Sequence, residues 1–231
     1  MNEGLQRYAG YGDVGAQAVQ RNKVLRNTYG LLALSLIPTV LGAWVGVSTG
    51  VMAAMGTGLS LILFLGGAFG FMYAIERTKE SAAGVGVLLA FTFFMGLMLS
   101  RMLAMVLGYS NGASLIMTAF GGTAGVFGAM AMLATVIKRD LTNMSKFLFV
   151  GAIVLLVAMV INAFVQSSAL MLTLSVIAIG LFSAFLLVDI KRIIDGGETN
   201  YISATLAIYL DLYNIFQNLL ALLGIFGGER D

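Results

Sequence analysis

The sequence predicts an all-α polytopic membrane protein: a seven-transmembrane-helix bundle with the amino terminus cytoplasmic and the carboxyl terminus extracytoplasmic. Three observations carry that prediction. Hydrophobic residues make up 59% of the 231 and charged residues 10%, with a mean hydropathy of +0.95, a balance foreign to ordinary soluble domains. Seven apolar segments each approach or exceed the twenty or so residues that cross about 30 Å of hydrocarbon. The basic residues fall in alternate loops, as the positive-inside rule requires.

Residues 1–27 carry Arg7, Arg21, Lys23 and Arg26 among Gly, Gln and Asn. They read as a flexible cytoplasmic tail, retained because it lacks the apolar core of a signal peptide. The seven-helix domain, 28–226, divides into spans at 28–47, 52–75, 82–107, 113–137, 146–165, 169–190 and 202–226, and residues 227–231 form a short C-terminal tail. With the first tail inside, the cytoplasmic segments also hold Arg77, Lys79, Lys138, Arg139, Lys146, Lys191 and Arg192, so that eleven of the thirteen Lys and Arg lie on one side. Only Arg101, within the third span, and Arg230 are left over, which requires an odd number of crossings. Tyr29, Tyr73 and Tyr201 at the cytoplasmic interface, with Trp44 and Tyr109 at the other, agree.

The outer loops at 48–51 and 166–168 are too short to hold an extracytoplasmic domain. Glycines at helical spacing, Gly66 with Gly70 and Gly121 with Gly125 and Gly128, read as close helix contacts in the bundle interior. Pro38 is expected to kink the first helix. Gly196 and Gly197 should end the sixth span with a left-handed residue, and Thr199 and Asn200 should help start the seventh.

The chain lacks cysteine and histidine, which removes disulfides, thiol nucleophiles, imidazole bases and the common zinc sites together. A net charge of +2 leaves no basic footprint for nucleic acid. Proton chemistry is left to carboxylates, and two lie inside spans. Asp211 falls about nine residues into the last span, roughly 14 Å along the axis and near mid-membrane. There an ionisable group is costly unless paired, hydrated or protonated, so it is by default a functional candidate. Asn214 and Asn218 follow at i+3 and i+7 on the same face, suited to lining a polar path. Asp189 lies about a turn from the end of the preceding span. A short hairpin joins the two helices, so the acids can share one low-dielectric site and titrate as a unit.

Each candidate has a plainer reading. Asp189 could be an interfacial carboxylate balanced by Lys191 or Arg192, and Asp211 could be held structurally by Asn218 or by Asn162 of the fifth span. Arg77, ending the second span on the same side as Asp189, is either a solvated anchor or a gating residue that salt-bridges a carboxylate. Paired intramembrane aspartates also occur in aspartyl proteases, but the Gly-x-Gly-Asp signature is missing. Ile208-Tyr209-Leu210 precedes Asp211 and Leu186-Leu187-Val188 precedes Asp189. The expectation is therefore no enzyme and no cofactor.

The run Arg21-Asn22-Lys23-Val24-Leu25-Arg26-Asn27-Thr28-Tyr29 resembles the bacterial YccA-like branch of the Bax inhibitor-1 family. So do Gly196-Gly197-Glu198-Thr199-Asn200-Tyr201-Ile202 and Tyr209-Leu210-Asp211-Leu212-Tyr213-Asn214-Ile215-Phe216, and the likeness runs from about Arg21 to the end. The resemblance implies a multi-pass protein of the bacterial inner membrane. It also implies a pH-sensitive calcium or cation leak closed by Asp189 and Asp211, which contact the permeant Ca2+, with Arg77 nearby. The branch itself implies an alternative, a modulator and substrate of the membrane AAA protease FtsH, engaged through the amino-terminal tail. The chain ends Gly227-Gly228-Glu229-Arg230-Asp231, so the basic tail of many eukaryotic relatives is not carried over.

Overall fold

Lipid offers no partner to a backbone N–H or C=O, so a chain this apolar satisfies its backbone within helices. The computed structural model describes residues 3–228, with side chains described from residue 19 onward except at 142. In chain order the helices are α1 (Glu3–Thr49), α2 (Val51–Ala54), α3 (Thr57–Thr78), α4 (Ala82–Leu107), α5 (Gly112–Val136), α6 (Thr142–Val165), α7 (Ser168–Ile194) and α8 (Tyr201–Gly227). Among the described residues there is no strand, and seven helices are long and apolar enough to cross a membrane, the first from Val19 to Thr49.

Two boundaries differ from the sequence reading. Helix α1 continues backwards through the segment assigned to a tail as far as Glu3 and runs unbroken past Pro38. Residues 1–2, and 229–231 of the C-terminal tail, lie outside the described residues. The second span is interrupted: α2 stops at Met55, which is extended at φ −78° and ψ 136°, and α3 starts after an extended Gly56. Hydropathy averaging runs across this break because Met55, Gly56, Thr57 and Gly58 carry no charge and are flanked by apolar residues.

The loops sort to two ends. At one end, Asn200 Nδ2 in the α7–α8 loop donates to the Lys79 carbonyl at 2.9 Å and to Glu80 Oε1 at 3.1 Å, while Arg21 of α1 donates to the Ile194 carbonyl at 3.4 Å. At the other, Asn111 Nδ2 before α5 donates to the carbonyl of Gly227 at 2.6 Å. The start of the first span and the finish of the last therefore sit at opposite ends, as seven crossings demand. The basic loops share the first of these ends.

Helix α8 is the hub, touching α1, α3, α4, α5 and α7, whereas α6 packs chiefly on α7. The most extensive pairing is α1 with α4, and glycine makes it possible. A Cβ at Gly42 would collide with the Phe93 carbonyl, one at Gly96 with the Thr39 carbonyl, and one at Gly46 with the Ser100 side chain. These residues are spaced small-xxx-small on both helices, Gly42 with Gly46 and Gly96 with Ser100, so the backbones approach closely. The expected interior glycines are elsewhere. Gly66, Gly70, Gly121, Gly125 and Gly128 are exposed, with nothing within 4 Å of an added Cβ, which corrects their placement in the core. An added Cβ at the neighbours Gly67 and Gly122 would instead meet Phe94 and Leu219.

Candidate functional site

The hairpin between α7 and α8 is built by local rules. Helix α7 ends in a Schellman motif: Gly196 takes φ +81°, its N–H donates to the Ile193 carbonyl at 3.1 Å, and Gly197 N–H donates to the Arg192 carbonyl at 2.8 Å. Asn200 then caps α8, its Oδ1 accepting from the N–H groups of Ile202 at 2.9 Å and Ser203 at 3.1 Å. Six residues reverse the chain and bring the last turns of α7 against the first turns of α8.

Asp189 and Asp211 meet across that contact. Their side chains are in hydrogen-bond contact, Asp189 half-buried and Asp211 only 5% exposed. A carboxylate only accepts, so a bond between two carboxyl groups requires a proton on one of them. Asp211 Oδ2 is sealed from solvent and receives no N–H or hydroxyl donor from the described residues. Arg192 follows Asp189 by three residues on α7, and Glu198 stands in the loop beyond it.

The rest of the candidate set is only partly assembled there. Asn214 and Asn218 share the Asp211 face, but each Nδ2 donates to its own helix, to the carbonyls of Leu210 and Asn214, both at 2.8 Å. Arg77 is exposed and does not reach the acids: its Nε donates to Tyr73 Oη at 3.1 Å and its guanidinium lies 5.3 Å from that ring's centre. Tyr73 precedes it by one turn and captures it locally. Asn162 must also be removed from the site. It sits in the last turn of α6, at the end of the bundle away from Asp189, where its Oδ1 accepts from Ser167 N–H at 3.1 Å and shapes the α6–α7 turn.

Sequence reasoning passed over the polar groups that hold α8 in the bundle. Tyr209 is buried, pairing its hydroxyl with Thr39 Oγ1 at 2.9 Å, and Tyr213 donates to the Met95 carbonyl at 3.2 Å. Both tyrosines lie mid-span, away from the headgroups where a membrane tyrosine is usually found, and that position was the available signal. Calcium prefers six to eight oxygen ligands. Among the described residues no cluster of three Asp, Glu, His or Cys could hold a metal ion.

Fold and site together define a polytopic helical membrane protein in which two carboxyl groups from consecutive helices face each other inside the bundle. The family model for the inhibitor of apoptosis-promoting Bax1 matches residues 21–228, and the chain belongs to that family. Its relatives include the Escherichia coli K12 protein named modulator of FtsH protease YccA, 38% identical over 88% of this chain and 90% of that one. The counterpart in a second E. coli strain is named inner membrane protein YccA. A Vibrio cholerae membrane protein of uncharacterized role is 37% identical over 90% of this chain and 92% of its own, and a Neisseria meningitidis protein is 37% identical over 94% and 97%.

Proposed function

We propose that this chain is a multi-pass inner-membrane protein that passes calcium or another cation under proton control, its closed state held by the carboxyl contact of Asp189 with Asp211. The observation that carries this reading is the contact of half-buried Asp189 with buried Asp211 within the bundle. With one proton between them, α7 and α8 are bonded together. When that proton leaves, two like charges about 4 Å apart repel by about 4 kcal/mol at an effective dielectric of 20, comparable with the gap between two packings of one bundle. Raising the pH through the titration of the pair therefore loosens α7 from α8, and the freed carboxylates become cation ligands.

The test is calcium flux into liposomes holding purified protein. Wild type should pass more calcium as pH rises through the titration of the pair, and Asp211→Asn, which keeps a hydrogen bond without a titrating group, should lose that dependence. Equal flux from the two proteins at every pH would rule the reading out.

The Escherichia coli relative's name favours a second reading, in which the protein modulates an FtsH-type membrane protease without chemistry of its own. Helix α1 extends in front of the first span and is the segment such a partner would meet. Co-purification with the protease should disappear when residues before Arg21 are deleted. Undiminished association after that deletion would remove the extension from the mechanism.

A further inference from the structure

A cleft of about 610 Å³ opens at the basic end of the bundle, where α6 departs from α7. Asp140, Leu141, Ser145 and Lys146 line one side, and Lys191 and Arg192 from the last turn of α7 line the other, together with Asp195. Three cations thus face two carboxylates. Lys191 is already neutralised, its Nζ bonded to Asp195 Oδ1, and its side chain is 10% exposed. Lys146 makes no ion pair or hydrogen bond with any described residue, and the charge of Arg192 falls partly on Asp189. The lining carries one unbalanced positive charge, and Lys138 and Arg139 stand close by in the α5–α6 loop.

The surface that continues from the cleft is apolar. Phe147, Phe149, Val150, Ile153 and Val154 of α6 are all at least 48% exposed and run from Lys146 towards mid-membrane. A cationic hollow at the interface, continuous with an exposed hydrocarbon face, matches a molecule with an anionic head and apolar tails. We propose that this cleft is a binding site for an anionic phospholipid, its phosphodiester held by Lys146 and Arg192 and its acyl chains lying along α6. A single negative charge meets the surplus positive one, and the lipid covers the side of α6 that faces away from α7, its chief support.

The experiment is native mass spectrometry of the full-length protein in detergent, titrated with phosphatidylglycerol or with phosphatidylcholine, with inorganic phosphate as a third arm. Wild type should bind phosphatidylglycerol in preference to phosphatidylcholine. An interfacial basic residue contributes about 1 kcal/mol towards an anionic lipid, so each lost cation should weaken binding roughly five-fold. Lys146→Gln with Arg192→Gln should therefore lose roughly twenty-five-fold, while Lys146→Arg stays at wild-type affinity. Lys138→Gln with Arg139→Gln removes the same charge outside the cleft and should change little. Equal weakening by the two double variants would reduce the effect to a diffuse field and overturn the site. Equal affinities for the two lipids would overturn it as well, and inorganic phosphate binding as tightly as phosphatidylglycerol would assign the cleft to a soluble anion instead.

Discussion

Helices α6 and α8 invert the intuition of soluble proteins. Helix α6 is the most apolar of the seven spans and the least buried, 6% of its most apolar stretch, while α8 is the least apolar and the most buried, at 44%. Where the solvent is hydrocarbon, burial in protein gains nothing for a leucine, so a uniformly apolar helix faces lipid and a helix with polar groups is drawn inside. Asp211, Asn218, Tyr209, Tyr213 and Thr205 all lie buried on α8. The described part of α6 has one buried residue, Leu155.

Truncation tests this contrast most severely. Ile215→Ala on α8, where the side chain is fully buried, should leave a cavity and cost about 2–5 kcal/mol in reversible unfolding in detergent. The same change at Ile161 on α6, 53% exposed, should cost less than about 1 kcal/mol. Equal losses would erase the distinction between hub and rim.

Glycine provides the next comparison. Gly96→Ala forces a methyl group into the Thr39 carbonyl and should destabilise the α1–α4 contact by about 1–3 kcal/mol. Gly125→Ala meets open space on α5 and should be neutral, or stabilising by up to about 1 kcal/mol through helix propensity. Thermal unfolding of both variants resolves the difference.

Helix starts should follow the same ranking. Asn200→Ala removes the cap of α8 and its tie to the Lys79 carbonyl, and should cost about 1–2 kcal/mol. Ser167→Ala removes one 3.3 Å cap bond from α7 at the α6 turn and should cost about 0.5 kcal/mol. Between those two lies Tyr213→Phe, which gives up one buried hydrogen bond to Met95 and should lower stability by about 1 kcal/mol, read by the same unfolding assay.

Much of this was legible in the one-dimensional chain. Residue composition gave the spans, and the alternate basic loops gave their odd number. The Schellman end of α7 and the Asn200 cap were readable because turn chemistry is local, needing a glycine at positive φ and a side-chain acceptor before the first helical N–H groups. The acid pair was readable because a short hairpin leaves two adjacent helices little choice of partner. Arg77 and Asn162 were misplaced for the opposite reason. Both are polar residues near helix ends whose nearest partners, Tyr73 and the Ser167 N–H, are four and five residues away, and a local partner takes a side chain before a distant one can.

By itself, then, the sequence determined that the protein has seven helices long and apolar enough to cross a membrane and that two consecutive ones each carry a carboxyl group. Only the tertiary structure decided that α8 occupies the centre, that Gly42 and Gly96 hold α1 against α4 while Gly66 and Gly125 look outward, and that α6 leaves a cationic cleft beside α7. Hydropathy measures preference for a medium, which every span shares. Which face meets protein and which meets lipid depends on shape and hydrogen bonding between helices far apart in the chain.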